Sequence, residues 1–180
     1  GKEPLSSIKS GEYLLTPPEN HDYVGVLKEG IIQLDFDEES EAKIALDIVK
    51  DLKLKCDVLK TTRGVHLYFL DDGWVKNQSV KVYNAIGLKC DIGLGNKNRV
   101  IPLRITKEEE QIKIVNGQEI KCKVHRVVER EWLQTYDELE PLPAFFRPIG
   151  IKDYKLKESN TRNQTLFNYI LTLQSHGFNK

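Results

Sequence analysis

No other stretch limits the fold as much as Gly30-Ile31-Ile32-Gln33-Leu34-Asp35-Phe36-Asp37. A short apolar run, rich in β-branched residues and ending in acids, suits a buried strand whose C-terminal end reaches a cleft. Residues 38 to about 54 then read as a helix. Acids crowd its first turns (Glu38, Glu39, Glu41) and lysines its last (Lys50, Lys53, Lys55), as the helix dipole favours. Ile44, Ile48, Val49 and Leu52 fall at helical spacing and predict its buried face.

Further strands are predicted over 13–16, 23–27, 56–61 and 65–70, with weaker signals over 81–84, 88–92 and 99–105 around a glycine-rich turn at Gly93 and Gly95. Residues 112–115 and 119–124, joined by Asn116-Gly117, carry the clearest hairpin signal. After Trp132 and the Pro141/Pro143 stretch, residues 149–160 read as a linker. Residues 161–175 read as a helix with Leu166, Phe167, Ile170, Leu171 and Leu173 on its apolar side and Gly177 as a stop. This order predicts an α+β fold with a mixed or antiparallel sheet flanked by helices over 1–148, and a linker plus a short helical accessory segment over 149–180.

At 180 residues and 39% hydrophobic, the chain is long enough for one domain with a real core. No apolar run approaches the ~20 residues a membrane span needs, and no signal-peptide pattern opens the chain. Three cysteines without paired spacing argue against a disulfide scaffold and predict a reducing, cytoplasmic setting. Gly1 and the absence of methionine suggest an expression scar, a processed start or an excised domain. The net charge of zero conceals segregation: net −7 over residues 1–47, +6 over 48–104, −3 over 105–140 and +4 over 141–180.

Three constellations could carry chemistry. Alternate strand residues share a face, so Asp35 and Asp37 project together, and two close carboxylates suit a hard Mg²⁺ or Mn²⁺ ion. Equally, this is what a strand running into a solvated turn looks like, with Asp37 as helix N-cap. In Thr61-Thr62-Arg63-Gly64-Val65-His66, a histidine opens an apolar strand just after a glycine, and Arg63 offers a fork for phosphate oxygens. Taken alone, His66 also reads as a core or edge histidine. In Lys89-Cys90-Asp91-Ile92-Gly93-Leu94-Gly95-Asn96-Lys97-Asn98-Arg99, a single strand acid precedes glycines and two cations that could cradle phosphates, or form an ordinary long turn.

In this order and spacing, the three constellations resemble the archaeo-eukaryotic primase superfamily, and more narrowly the bifunctional primase-polymerase domain of phage and plasmid replication proteins. The entry Val24-Gly25-Val26-Leu27-Lys28-Glu29-Gly30 resembles that family's approach to its first motif. Arg162-Asn163-Gln164-Thr165-Leu166-Phe167 resembles a helix that often follows its catalytic domain. The resemblance implies a primase-like, RRM-like catalytic core and template-directed nucleotidyl transfer in a bacterial or archaeal host cell. It further implies a two-metal Mg²⁺ or Mn²⁺ site on Asp35, Asp37 and Asp91, with His66 on the incoming nucleotide's phosphates. Arg63, Lys97 and Arg99 are the expected further nucleotide ligands, and Arg162, Asn163 and Lys60 the expected contacts to single-stranded DNA template. Nucleoside triphosphates and a helicase domain or subunit are the expected partners. The sequence departs from the family where Arg63-Gly64 replaces small residues before the histidine, and where Gly93-Leu94-Gly95-Asn96-Lys97-Asn98 replaces a plain glycine turn.

Two rivals use the same residues differently. A haloacid-dehalogenase-like phosphohydrolase also places Asp-x-Asp after an apolar strand, and Leu70-Asp71-Asp72 mimics its late acidic pair; Glu38-Glu39 stands where its Gly-Thr belongs. A non-catalytic replication-initiator module would bind DNA through basic segments and aromatic platforms without needing three placed acids. Cys122-x-x-His125 has zinc-like spacing but no second close pair, so strand cysteines are expected. Trp74 and Trp132 read as core or edge packing.

Overall fold

The computed structural model describes residue 16 and residues 21–115, 118–149 and 162–178. The strand expected over 13–16, the Asn116-Gly117 turn and the linker over 149–160 lie outside these residues, apart from Thr16 and Ile149.

Among the described residues, the chain forms an α+β fold of two antiparallel sheets and two α-helices. Its elements are β1 (Tyr23–Val26), β2 (Ile31–Phe36), α1 (Glu39–Asp51), β3 (Asp57–Lys60), β4 (Val65–Leu70) and β5 (Ser79–Tyr83). They continue with β6 (Lys89–Leu94), β7 (Val100–Val115), β8 (Gln118–Glu129), β9 (Glu131–Gln134) and α2 (Arg162–Ser175). The larger sheet has the order β5-β6-β2-β4-β3-β9 and the smaller β1-β7-β8. β2 and β3 run the same way with β4 between them, so α1 is the crossover of a split β-α-β unit. Among the described residues, no helix is long and apolar enough to cross a membrane.

β2 alternates cleanly. Ile32, Leu34 and Phe36 point into the main core with Leu67, Phe69, Ile92, Leu94 and Phe146, beneath α1. Ile31 faces the opposite way, toward a small core of Leu27, Leu59, Tyr68 and Ile101 where the two sheets meet. The buried face of α1 is Ala42, Ala45 and Val49, not the predicted Ile44 and Leu52, which are exposed. Alanines let a helix lie close on a sheet, so small side chains claimed the interface and two large ones stayed outside. Glu41 fixes this helix to the sheet by accepting from the Lys89 amide at 3.1 Å.

Other boundaries also moved. The strands expected over 99–105 and 112–115 merge into one strand, β7, which begins at Val100. Gly93 lies inside β6; the turn begins at Gly95 as a 3₁₀ segment and ends at Asn98 with φ 53°. The apolar side predicted for α2 is largely exposed at Leu166, Phe167, Ile170 and Leu171. That helix is held by Tyr169, whose hydroxyl donates to the Ala85 carbonyl, and by His176 against Trp74. β9, for which the sequence carried no strand expectation, closes the sheet edge by pairing with β3.

Candidate active site

The register of the larger sheet aligns five residues in one row across five strands. Asp35 on β2 stands opposite Asp91 on β6 and opposite His66 on β4. Leu59 on β3 stands opposite His66, and Trp132 on β9 opposite Leu59. Cross-strand partners share a face, so all five project to the side away from α1. The next row toward the smaller sheet holds Gly93, Gln33 and Tyr68.

A backbone contact sets this alignment. A Cβ on Gly64 would lie 1.7 Å from the Phe36 carbonyl oxygen and 3.1 Å from the Asp37 Cα. Only glycine lets the start of β4 lie on the end of β2, which is what brings His66 opposite Asp35. The Thr61–Gly64 turn is closed on itself: the Gly64 amide donates to Thr61 Oγ1 and the Thr61 amide to the Gly64 carbonyl, both at 3.0 Å.

Asp35 is the centre of the charge network, with its side chain 13% exposed. His66 Nε2 lies 3.2 Å from its Oδ1, and Arg99 Nη2 lies 3.6 Å from its Oδ2. Asp35 Oδ1 is nevertheless buried without a hydrogen bond of acceptable geometry. The other histidine nitrogen, Nδ1, is 2.9 Å from the Tyr68 hydroxyl. A nitrogen facing a carboxylate carries a proton; Tyr68 therefore donates to Nδ1 and leaves the proton on Nε2. Burial raises the Tyr68 phenol above its ordinary value, which keeps that donor protonated.

Gln33 is fully buried beneath this network. Its Oε1 accepts from Arg99 Nε at 3.2 Å, while its Nε2 has no partner. Gly93 makes the room: a Cβ there would stand 2.9 Å from Gln33 Oε1 and 3.0 Å from Arg99 Cγ. The glycine predicted as turn or phosphate cradle thus acts as the floor over which Arg99 reaches Asp35.

Asp37 follows the strand at the open end of the row. Glu38 occupies the N-cap of α1 without a side-chain cap bond, so helix capping does not account for Asp37. Its carboxyl is pushed above the ordinary value by partial burial first, then by the charges of Asp35 and Asp91, with Arg63 and His66 opposing. Asp91 Oδ1 accepts from the Lys81 amide at 2.7 Å.

These side chains have the chemistry of a divalent-cation site: hard oxygen donors, mutual repulsion felt at Asp37, and an unsatisfied Asp35 oxygen. Yet among the described residues no three His, Cys, Asp or Glu side chains are gathered at metal-ligand spacing. Arg99 lies beside Asp35 instead. The residues fit such an ion in kind, set out along a row with a flanking acid rather than as a closed cage.

Of the residues singled out from sequence, the structure joins Asp35, Asp91, His66 and Arg99, with Asp37 and Arg63 at the margin. Lys97 is exposed in the 3₁₀ turn, and Lys60 lies at the end of β3 on a neighbouring cleft. Arg162 begins α2 and Asn163 is exposed on it. Sequence reading missed Gln33 and Tyr68; an amide and a phenol in otherwise apolar strands were the available signals. The rival acidic pair is committed elsewhere. Asp71 accepts from the Gly73 amide, and Asp72 from the Trp74 amide and from Arg147 at 2.6 Å, beyond the end of β4 remote from Asp35. Cys122 and His125, three apart on β8, face opposite ways, so their spacing makes no zinc pair.

Comparison of the chain with family models, curated proteins and solved structures finds no match.

Proposed function

We propose that this chain is a template-directed nucleotidyltransferase, a DNA primase or polymerase of the archaeo-eukaryotic primase type, working with Mg²⁺ or Mn²⁺. The observation that carries the reading is the row Asp91–Asp35–His66 on three adjacent strands, with Asp37 immediately beyond it. The order β6-β2-β4-β3 with α1 as crossover is in keeping with an RRM-like core, although the described residues have no second crossover helix between β4 and β6.

Asp35, Asp37 and Asp91 would hold the divalent ions, which lower the pKa of a primer 3′-hydroxyl and neutralise a triphosphate. The protein's own part is positioning and charge. His66 presents its Nε2 proton at the row, fixed in that tautomer by Tyr68. Arg99, anchored at Nε by Gln33 and beside Asp35 through Nη2, would offer its guanidinium nitrogens to phosphate oxygens. Arg63, whose charge reaches Asp37, would serve the outer phosphates. No protein nucleophile is required.

Primer synthesis and extension on single-stranded templates, assayed with ribo- and deoxynucleotides and with each metal, test the reading. Asp35→Ala or Asp91→Ala should lower incorporation by at least about a hundredfold while the chain stays folded. Incorporation retained in Asp35→Ala/Asp37→Ala would overturn the assignment.

A further inference from the structure

The row of functional side chains does not stop at His66. It continues through Leu59 to Trp132, whose residue is 45% exposed although it belongs to the sheet. Its ring centroid is 5.5 Å from that of Tyr68, which is buried and is also the partner of His66. Trp132 therefore has one side supported by a fixed ring while much of its surface remains open to solvent. Simple edge packing, the expectation from sequence, explains the supported side and leaves the open one without a purpose. At ~4.8 Å per strand, Trp132 lies roughly 14 Å from Asp35 along the row.

A cleft of about 290 Å³, lined by the two residues before Trp132 rather than by Trp132 itself, lies between Lys60–Thr62 and the base of the β7–β8 hairpin. Arg130 and Glu131, the residues just before Trp132, form part of its wall. Lys60, Lys107 and Arg126 add positive charge and Thr61 and Thr62 add hydroxyls. Two of its three acids have partners: Glu109 lies 3.9 Å from Arg126, and Glu129 accepts from the Tyr23 hydroxyl. One guanidinium nitrogen of Arg130 is buried with no acceptor. The larger hollow, about 400 Å³, is on the other side of the sheet, between α1 and β9, away from the acids.

We propose that Trp132 is a stacking platform for one base of a single-stranded nucleic acid, whose backbone phosphates follow the Lys60–Lys107–Arg126–Arg130 cleft. An exposed aromatic beside a cationic groove is the general means of holding single strands without reading their sequence. Naming that strand the template rests on the nucleotidyl-transfer reading; the binding itself does not. The position along the row puts the stacked base a short distance from the acids, where it would hold the strand upstream or downstream of the reacting nucleotide.

Trp74 and Trp132 are the two tryptophans of the chain, so Trp74→Phe makes Trp132 the sole indole reporter. In EDTA, oligo-dT should quench that emission saturably, and a duplex of equal length should quench it far less. Anisotropy of a labelled oligo-dT should show Trp132→Ala weakening binding at least about fivefold, with Trp132→Phe retaining most of it. Lys60→Glu/Lys107→Glu should lower affinity and flatten the salt dependence by about one log–log unit per lost phosphate contact. The proposal is overturned if oligo-dT does not bind, if it binds without changing Trp132 emission, or if Trp132→Ala binds like the parent. It is likewise overturned if dTTP alone quenches as strongly, since the platform would then serve the incoming nucleotide. Asp35→Ala/Asp37→Ala should quench normally. Quenching without incorporation by the parent chain would therefore sink the nucleotidyl-transfer reading and leave the strand site standing.

Discussion

The central sheet and the β7–β8 arm are built from the same kinds of residue and use them in opposite ways. In the sheet, β2 has partners on both edges, its Ile32, Leu34 and Phe36 are buried, and Asp35 stands in one row with Asp91 and His66. In the arm, the two strands pair from Arg104↔Glu129 to Val115↔Gln118, while β1 supports only the first part. Ile112, Ile114 and Ile120 are exposed there, and the ion pairs Lys123–Glu108, Arg126–Glu109 and Lys121–Glu110 lie largely in solvent. Exposed pairs are screened and contribute little, whereas a charge held in a buried row must be matched by neighbours or by a ligand. Charge count therefore says little about function; the number of strands around a charge says more.

The largest contrast should appear in stability. Gly64→Ala forces backbone against backbone and Leu34→Ala opens a cavity beneath α1, each costing about 3 kcal/mol or more. Ile114→Ala in the arm should stay within about 0.5 kcal/mol. Urea unfolding measures all three, and equal losses would erase the distinction.

Thiol chemistry gives the next largest effect. Burial pushes the Cys56 and Cys90 thiols up to about 12, while Cys122 on the arm is only partly covered. A thiol reagent should label Cys122 alone in the native chain and all three cysteines in urea. Rapid native labelling of Cys90 would mean that β6 is loosely held.

A smaller effect concerns Asp37. Its carboxyl takes up a proton more readily in the folded chain than in the unfolded one. Stability from this group is therefore present below the ordinary carboxylate value of ~3.9 and is lost as pH rises through the raised value. Asp37→Asn should have the higher Tm above that window and no advantage below it. Added Mg²⁺ should raise the Tm of the parent and narrow the gap. An Asp37→Asn Tm that tracks the parent at every pH would remove the electrostatic strain from the site. Smallest of all, Lys123→Ala should cost at most about 1 kcal/mol and nothing measurable in high salt, despite its 2.7 Å contact with Glu108.

Alternation made β2 and its acids legible, and Val65–Leu70 forms over the residues expected. His66 could be placed on a strand, but its register against Asp35 depends on Gly64 meeting Phe36, a contact between distant segments that periodicity does not encode. Gln33 looked like a polar interruption of an apolar run; its role exists only because Gly93 and Arg99 return to it from far along the chain. In α1, hydrophobicity at helical spacing ranks Ile44 and Leu52 first, while the sheet selects Ala42 and Ala45 for closeness. β9 is too short to announce itself, and so the alignment of Trp132 with the acids could not be read in advance.

The position of β6 has one more consequence. Its neighbours are β2 on one side and β5 on the other, and β5 forms the edge of the sheet. Asp91 joins the row only through the pairing of β6 with β2, while Asp35 and His66 are joined by the separate pairing of β2 with β4. Breaking the β2–β6 pairing would expose Cys90, Ile92 and Leu94 from the core and remove both Asp91 and the Gly93 floor. Amide hydrogen exchange along Lys89–Leu94 would report how firmly the core holds the strand that completes the acidic row.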